Sequence, residues 1–552
     1  MRIVECVPNF SEGRDLTRIE AITSEIKAVS GVQLLDVDPG ADTNRTVVTF
    51  AGSPEGVVEA AFRAIKRASE LIDMSRHQGE HPRMGATDVC PFVPVSEVTM
   101  EECVELAKEL GRRVGDELGI PVYLYEHAAS SPQRRSLADI REGEYEALES
   151  KLKDPAWVPD FGPAEFNAKS GATVIGARDF LIAYNVNLNT KDKKLASEIA
   201  LNIREAGRTV KGPDGKPLKG EGGRPVKKPG LLKAVRAVGW YIDSYRQAQV
   251  SINLINYKAT APHAAFEAVR DEAAKLGLRV TGSELVGLIP LEPLLDAGRY
   301  FLAKQGKSPG VPEPELIEVA VQSLGLDQFS DFDASKKVIE YRFLQPTPLA
   351  TMKVMDFIDE VSRDSPAPGG GSVSALCGAL GAALASMVAN LTYDKGDREA
   401  MGRIAVEGQR IKDALRGNID ADTDAFNLLM DAVRMPKKTE EEKAARSAAI
   451  QDGYKAAAEV PLSTARMCLE ALELSVQAAC DGNKASASDA GVAALAAWAG
   501  MEGALLNVQI NAKEIDDPPY VSALIVQVKD LRERGAALRA EALDSVDDAL
   551  AG

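Results

Sequence analysis

The sequence predicts a multidomain protein, two α/β sub-domains of similar construction followed by an all-α bundle, and two observations predict it. Up to about residue 340, short β-branched runs alternate with amphipathic helical patterns, and the alternation occurs twice. From Met355 onward Ala, Leu, Glu, Lys and Met dominate and β-branched runs are few. A chain of 552 residues is long enough for several separate cores.

In the first part Val32–Val37, Thr46–Ala51, Val89–Pro94 and Pro121–Tyr125 read as strands. Between them Pro54–Met74 and Met100–Leu118 carry apolar residues at three-to-four spacing and read as helices. The pattern resumes with a strand at Phe180–Leu188, a helix at Lys193–Glu205, a strand at Ala248–Asn256 and a helix at Pro262–Leu276. Asp36–Gly40 follows the first strand and is expected to place carboxylates in a loop. Gly-rich stretches at Asp160–Pro163 and Gly171–Arg178 read as connectors. Leu344–Leu349, with two prolines, reads as a linker. Helix breaks are expected at Pro436, Pro461, Gly482 and Pro518-Pro519.

Composition is that of a folded protein, 45% hydrophobic and 27% charged, and the net charge of −17 argues against general nucleic-acid binding. One basic stretch, Arg204–Arg236, holds Arg208, Lys211, Lys216, Lys219, Arg224, Lys227 and Lys228. It reads as a surface hairpin, with an anion-attracting loop as the sharper alternative. Six scattered cysteines form no CxxC pair, which fits a reducing compartment and no zinc site. The N-terminus lacks the pattern of a signal peptide. Val373–Leu391 is uncharged and near spanning length, but its Ala and Gly content reads as a tightly packed helix of a soluble protein.

Four histidines occur, and two fall in one segment, Ser75–Ala86. Either His77 or His81 is a natural general base, and a structural histidine is the plain alternative for each. Gly79 and Pro82 make a continuous metal-binding helix through both improbable. No Walker loop or dinucleotide fingerprint is present. In the helical part, Gly369, Gly370 and Gly371 can turn backbone N–H groups toward a ligand, with Ser372 capping the helix beside them. Asp420, Asp422 and Asp424 cannot share one helical face. If Asp420 and Asp424 meet solvent, Asp422 faces the interior with a raised pKa and can serve as an acid.

The runs VECVPNFSEGRD (Val4–Asp15), TNRTVVTFAG (Thr43–Gly52), LIDMSRHQGEHPRMGATDVCPFVPV (Leu71–Val95), PDFGP (Pro159–Pro163), GATVIGARDFLIAYNVNL (Gly171–Leu188) and LVGLIPL (Leu285–Leu291) resemble the formiminotransferase family, in its order. PAPGGGSVSAL, GALGAALASMV, LTYDK, DADTDAF and MPKKTEEEKAAR resemble the cyclodeaminase family over nearly all of residues 351–552.

The resemblance implies ferredoxin-like α+β sub-domains at 1–177 and 178–341, a linker at 342–350 and a helical cyclodeaminase domain at 351–552. It implies His81 as catalytic histidine, Asp38 as a carboxylate near it and Asp422 as proton donor. Folate binding falls on the connector Gly162, Pro163, Ala164, Glu165, Phe166, Asn167, Ala168, Lys169, Ser170 and Gly171. The chemistry of the glycine loop adds Gly369, Gly370, Gly371 and Ser372 to the folate-binding set. Arg45 and Arg83 are nominated on chemistry alone to hold substrate carboxylates. The implied substrates are tetrahydrofolate and N-formimino-L-glutamate, with no metal, in a cytoplasmic homo-oligomer. Relatives of the helical domain hydrolyse methenyltetrahydrofolate, which leaves a cyclohydrolase as the alternative. A non-catalytic folate-binding scaffold is the third reading.

Overall fold

The computed structural model describes residues 2–79, 81–212, 216–218, 220, 225–344 and 346–551. Glu80 of the histidine segment, Lys219 and Arg224 of the basic stretch and Gln345 of the linker lie outside the described residues. Contacts divide the chain into two compact units, Met1–Ala297 with Val321–Leu344, and Gly298–Ala320 with Gln345–Gly552.

The first unit opens on a seven-stranded sheet of β1 (Ile3–Cys6), β2 (Asn9–Phe10), β3 (Val32–Gly40), β4 (Arg45–Gly52), β5 (Thr87–Ser96), β6 (Val122–Glu126) and β7 (Thr173–Ala177). β1 and β2 both lie antiparallel between β4 and β5, as one interrupted strand, while β5, β7 and β6 run parallel. Helices α1 (Leu16–Lys27), α2 (Pro54–Leu71) and α3 (Met100–Leu118) cover one face. Each starts where a side chain satisfies the free backbone donors: Asp15, Ser53, and Thr99 with Glu102 in a capping box. That face buries Val4, Cys6, Phe10, Phe50 and Phe92 against Ile22, Ile65 and Leu110. The other face carries Val89, Tyr123, Tyr125 and Val174, packed against α4 (Leu137–Ile140) and α5 (Glu144–Lys151).

Three local expectations are corrected here. Asp36–Gly40 is not a loop: β3 runs through it, and Pro39 is tolerated because β3 is an edge strand paired only with β4. Gly171–Arg178 holds a strand, β7, whose glycine masks its β signal. The helix expected to reach Met74 ends at Leu71 and gives way to a short 3₁₀ turn, Met74–Arg76.

A second sheet follows within the same unit. β8 (Ile182–Leu188), α6 (Lys193–Ile203), the small hairpin β9 (Arg208–Thr209) and β10 (Lys227–Lys228), β11 (Val235–Ile242), β12 (Gln247–Leu254), α7 (Pro262–Lys275) and β13 (Val280–Val286) follow in order. The large strands pair antiparallel as β11-β12-β8-β13. Arg208 of the basic stretch donates to Asn202 and Glu198, so it is a hairpin anchor rather than a free cation. α8 (Leu291–Lys304) and α9 (Glu313–Leu324) are each divided between the two units, at Ala297–Gly298 and Ala320–Val321, and α10 (Ala334–Lys337) belongs to the first.

The helical unit holds α11 (Val354–Val361), α12 (Gly370–Thr392), α13 (Arg398–Arg434), α14 (Glu440–Asp481), α15 (Ala487–Ala512) and α16 (Pro518–Ala551). α12 and α15 are long and apolar enough to cross a membrane by composition, yet α12 is mostly buried inside the bundle. Its Ala382, Ala385 and Ala389 are fully buried against Ile411, Leu472 and Ala493, which lets the helices approach closely. Pro461 does not end a helix: α14 runs straight through it, with Pro461 buried. A lost hydrogen bond inside a 42-residue helix is outweighed by tertiary packing on both sides.

Candidate functional site

In the first unit the site is assembled by the segment between α2 and β5. Asn44, in the β3–β4 turn with φ of 47°, holds that segment. Its Oδ1 accepts from the Gly13 amide at 3.0 Å and its Nδ2 donates to the Gln78 carbonyl at 2.9 Å. Gly79 passes so close that any Cβ there would collide with the Thr43 carbonyl.

The two candidate histidines separate cleanly. His77 Nε2 lies 2.9 Å from the Asn44 carbonyl, which can only accept, so that nitrogen carries the proton. His77 Nδ1 then accepts from Arg83 Nε at 3.3 Å. Both nitrogens are occupied, and His77 is structural. His81 differs: its Nε2 meets Arg45 Nη1 at 2.8 Å, and because arginine only donates, Nε2 presents a lone pair. Burial, then the Arg45 and Arg141 guanidiniums, hold the His81 imidazolium below its ordinary pKa of 6.5. His81 is therefore neutral, with its basic nitrogen aimed at a group that substrate can displace.

Arg45 also donates Nη1 to Asn9 Oδ1 at 2.8 Å, while its Nε is buried with no partner. Arg141 approaches from α4, held by the buried Asp88, and its Nε is likewise orphaned. Buried N–H donors without acceptors call for a ligand. Burial, then the Arg141 guanidinium, lowers the Arg45 pKa, and the two cations flanking Asp88 make a site for an anion. Asp38 is exposed and stands diagonal to Arg45 on the same face of the β3–β4 pair, where its charge supports Arg45. Among the described residues it makes no hydrogen bond to His81.

Arg83 is placed otherwise. Its guanidinium binds Glu146 through Nη1 and Nη2 at 2.9 and 2.6 Å and Glu144 at 3.0 Å, so it is committed to protein carboxylates. It ties the histidine segment to α5 and borders a cleft of about 680 Å³ with His77, Gly79 and Tyr145. The connector 162–171 runs beside it. Lys169 and Ser170 carbonyls accept from the Met74 and Ala86 amides at 2.9 Å each, and Gly171 bridges Gly85. Phe166 packs 5.5 Å from the Tyr145 ring, while Pro163, Ala164 and Glu165 stay exposed.

In the helical unit the glycine run enters α12 with Gly369 at its N-cap. Ser372 is not the cap. It lies in the first turn, buried, and its hydroxyl donates to the Ile419 carbonyl at 2.7 Å. Asp422 of α13 faces that turn and accepts a bond from the Ser372 backbone amide. A Cβ at Gly371 would collide with the Asp422 carboxylate, so glycine is required there. Burial raises the Asp422 pKa above 3.8 despite the Ser372 hydrogen bonds. The condition that Asp420 and Asp424 both meet solvent holds for Asp424, which is exposed, and fails for Asp420. Asp420 is 5% exposed and accepts from the Leu349 and Ala350 amides at 2.8 and 2.9 Å. Asn507 of α15 stands against Gly370 and donates to the Gly503 carbonyl, and its Oδ1 accepts no hydrogen bond among the described residues.

Sequence reasoning missed Arg141, Asp88, Asn9 and Asn507. Asp88, a charge inside the apolar run of β5, carried a readable signal; Arg141 and Asn507 sit in ordinary helical patterns without one. Among the described residues no group of three His, Cys, Asp or Glu side chains could hold a metal ion.

Comparison with known proteins places the chain. Residues 3–178 match the family described as Formiminotransferase domain, N-terminal subdomain, residues 183–344 the Formiminotransferase domain, and residues 353–530 Formiminotransferase-cyclodeaminase. A formimidoyltransferase-cyclodeaminase of Mus musculus is 45% identical over 553 residues, covering 99% of each chain. The chain belongs to the formiminotransferase-cyclodeaminase family. A glutamate formimidoyltransferase of Thermoplasma acidophilum is 46% identical over 312 residues, 56% of this chain and 95% of its own. A methenyltetrahydrofolate cyclohydrolase of Methylorubrum extorquens is 40% identical over 194 residues, 34% of this chain and 93% of its own. In formiminotransferase-cyclodeaminase terms, His81 and its arginines lie in the first matched region and Asp422 in the last.

Proposed function

We propose that the chain transfers the formimino group of N-formimino-L-glutamate to N5 of tetrahydrofolate, then closes 5-formimino-tetrahydrofolate to 5,10-methenyl-tetrahydrofolate with release of ammonia. It is a bifunctional transferase and cyclodeaminase, serving histidine degradation. The observation that carries the first step is the neutral His81 lone pair held by Arg45.

N5 attacks the formimino carbon while His81 takes the N5 proton, and the same imidazolium then protonates the departing glutamate nitrogen. Arg45 turns from His81 to substrate; its orphaned Nε and that of Arg141 hold the glutamate carboxylates. Arg83, engaged by Glu144 and Glu146, braces the histidine segment instead. Asp38 sustains the charge of Arg45, and residues 162–171 hold the folate. In the second step N10 closes on the formimino carbon, and Asp422 protonates the nitrogen that leaves as ammonia. Gly369, Gly370, Gly371 and Ser372 bind the folate beside it.

The α+β region at 178–341 is assigned as ferredoxin-like, supported by its β-α-β-β-α-β order and antiparallel pairing. We place a linker at 342–350 between sub-domains 1–177 and 178–341 and the helical domain 351–552. The protein is assigned as a cytoplasmic homo-oligomer with dimeric contacts through both parts. Six free cysteines and the exposed Leu380 and Leu391 on α12 are consistent with that.

The cyclohydrolase similarity favours a second reading of the helical domain. Purified chain given tetrahydrofolate and N-formiminoglutamate decides between them. Glutamate release followed by ammonia and methenyl-tetrahydrofolate supports the two-step reading. Glutamate without ammonia leaves a transferase joined to a cyclohydrolase, and no glutamate refutes the assignment.

A further inference from the structure

Five carboxylates are buried among the described residues: Glu5, Glu12, Asp88, Glu272 and Asp420. Four are satisfied. Glu12 accepts from the Arg14 and Asp15 amides, Asp88 from Met84 and Arg141, Glu272 from Asn202 and Lys275, and Asp420 from the linker. Glu5, 4% exposed, has no hydrogen-bond partner among the described residues, and the charge it feels is that of Arg178. A carboxyl this buried, with no protein donor in reach among the described residues, is an acceptor site open to a ligand that brings donors.

Its place in the sheet says which ligand. Glu5 pairs with Ala51 of β4 and Val93 of β5, on the face opposite the one where Val4 and Cys6 pack against the helices. Arg178 follows β7 and donates its amide to the Phe92 carbonyl, and its charge reaches both Glu5 and Tyr125. Tyr125, 3% exposed, also has no hydroxyl partner among the described residues, and it feels Arg141, whose charge reaches His81. Tyr125 lies level with Gly176 of β7 and Pro91 of β5, two residues along β5 from the Val93 that pairs with Glu5, and so on the same face of the sheet. Along the interrupted strand Glu5 is four residues from Asn9, about 13 Å, and on the same face of the sheet. Asn9 touches Arg45, which touches His81.

N-formiminoglutamate carries two carboxylates, which Glu5 would repel. Tetrahydrofolate carries a pterin ring with two adjacent donors, N3–H and the 2-amino group, spaced for two parallel bonds to one carboxylate. We propose that Glu5 is the specificity-determining residue that binds the pterin edge of tetrahydrofolate and so presents N5 to His81. This rests on the transferase reading given above. The burial that pushes the Glu5 carboxyl up to about 7 fits a group that gains its donors from the ligand.

The test uses the full chain in steady-state transfer, with tetrahydrofolate and a 2-desamino analogue of it as acceptors. Wild-type protein is expected to favour tetrahydrofolate by about tenfold or more in kcat/KM. Glu5→Gln should raise KM for tetrahydrofolate by about tenfold, move KM for N-formiminoglutamate less than about twofold, and reduce the discrimination to about threefold or less. Full discrimination in Glu5→Gln, or both KM values rising together, overturns the proposal. If the variant fails to fold, wild type still decides: no preference between the acceptors overturns it. Turnover without discrimination removes only the role of Glu5, whereas no glutamate release removes the transferase reading itself.

Discussion

The His81 and Asp422 sites are tuned by the same force in opposite directions. Burial disfavours charge, so it lowers the pKa of an imidazolium and raises that of a carboxyl. At His81 the neighbouring arginines add to the effect and yield a neutral base. At Asp422 the α12 backbone opposes it through Ser372, and burial still dominates, leaving an acid that keeps its proton above the usual carboxylate range. The scaffolds differ accordingly. His81 depends on loops pinned by Asn44 and Arg83, whereas Asp422 is set by two packed helices and a glycine that leaves room for it.

The comparison breaks first at the two groups themselves. His81→Ala should cut glutamate release by about 10³–10⁴-fold while supplied 5-formimino-tetrahydrofolate still yields ammonia; equal loss of both would merge the sites. Asp422→Asn should lower ammonia release by about 10²–10³-fold, with 5-formimino-tetrahydrofolate accumulating by chromatography. Gly371→Ala, which pushes the carboxylate aside, should cost about 10–100-fold in the same step and leave glutamate release near wild type. The smallest effect is on stability. Asp420→Ala strands the Leu349 and Ala350 amides and should cost about 2–3 kcal/mol in denaturant unfolding. No change would show that the linker has no need of Asp420.

The signs of pH dependence follow from the same contrast. His81, with its pKa lowered in the fold, stays a competent base below pH 6.5, so the acidic limb of transfer should lie under that value. Its stability contribution has the matching sign: the folded state binds fewer protons, so stability falls as pH drops through 6.5 toward the folded pKa. Asp422 is the reverse. The raised carboxyl keeps its proton above pH 3.8, and ionising it as pH rises weakens both its acid role and the fold.

Period and propensity made much of the fold legible. Met100–Leu118 was bounded by Thr99 and Gly119, and the boundary with the helical part by a change in residue type. The misses share a cause, long-range context overriding local signals. Pro461 is held in helix by packing on both sides. Asp420 looked like a solvated charge because the amides it satisfies lie about seventy residues away in sequence. The choice between His77 and His81 needed the partners of each ring nitrogen, which no spacing encodes. Arg83 and Arg45 looked equivalent until Glu144 and Glu146 occupied one of them.

The most direct test measures both steps on one preparation across pH, glutamate release for transfer and ammonia release from supplied 5-formimino-tetrahydrofolate for closure. The account predicts an acidic limb of transfer below pH 6.5 that moves up toward 6.5 in Arg45→Ala, and a closure rate that falls with rising pH and loses that fall in Asp422→Asn. A transfer limb at or above pH 6.5 in the wild type, or a closure profile unchanged by Asp422→Asn, would contradict it.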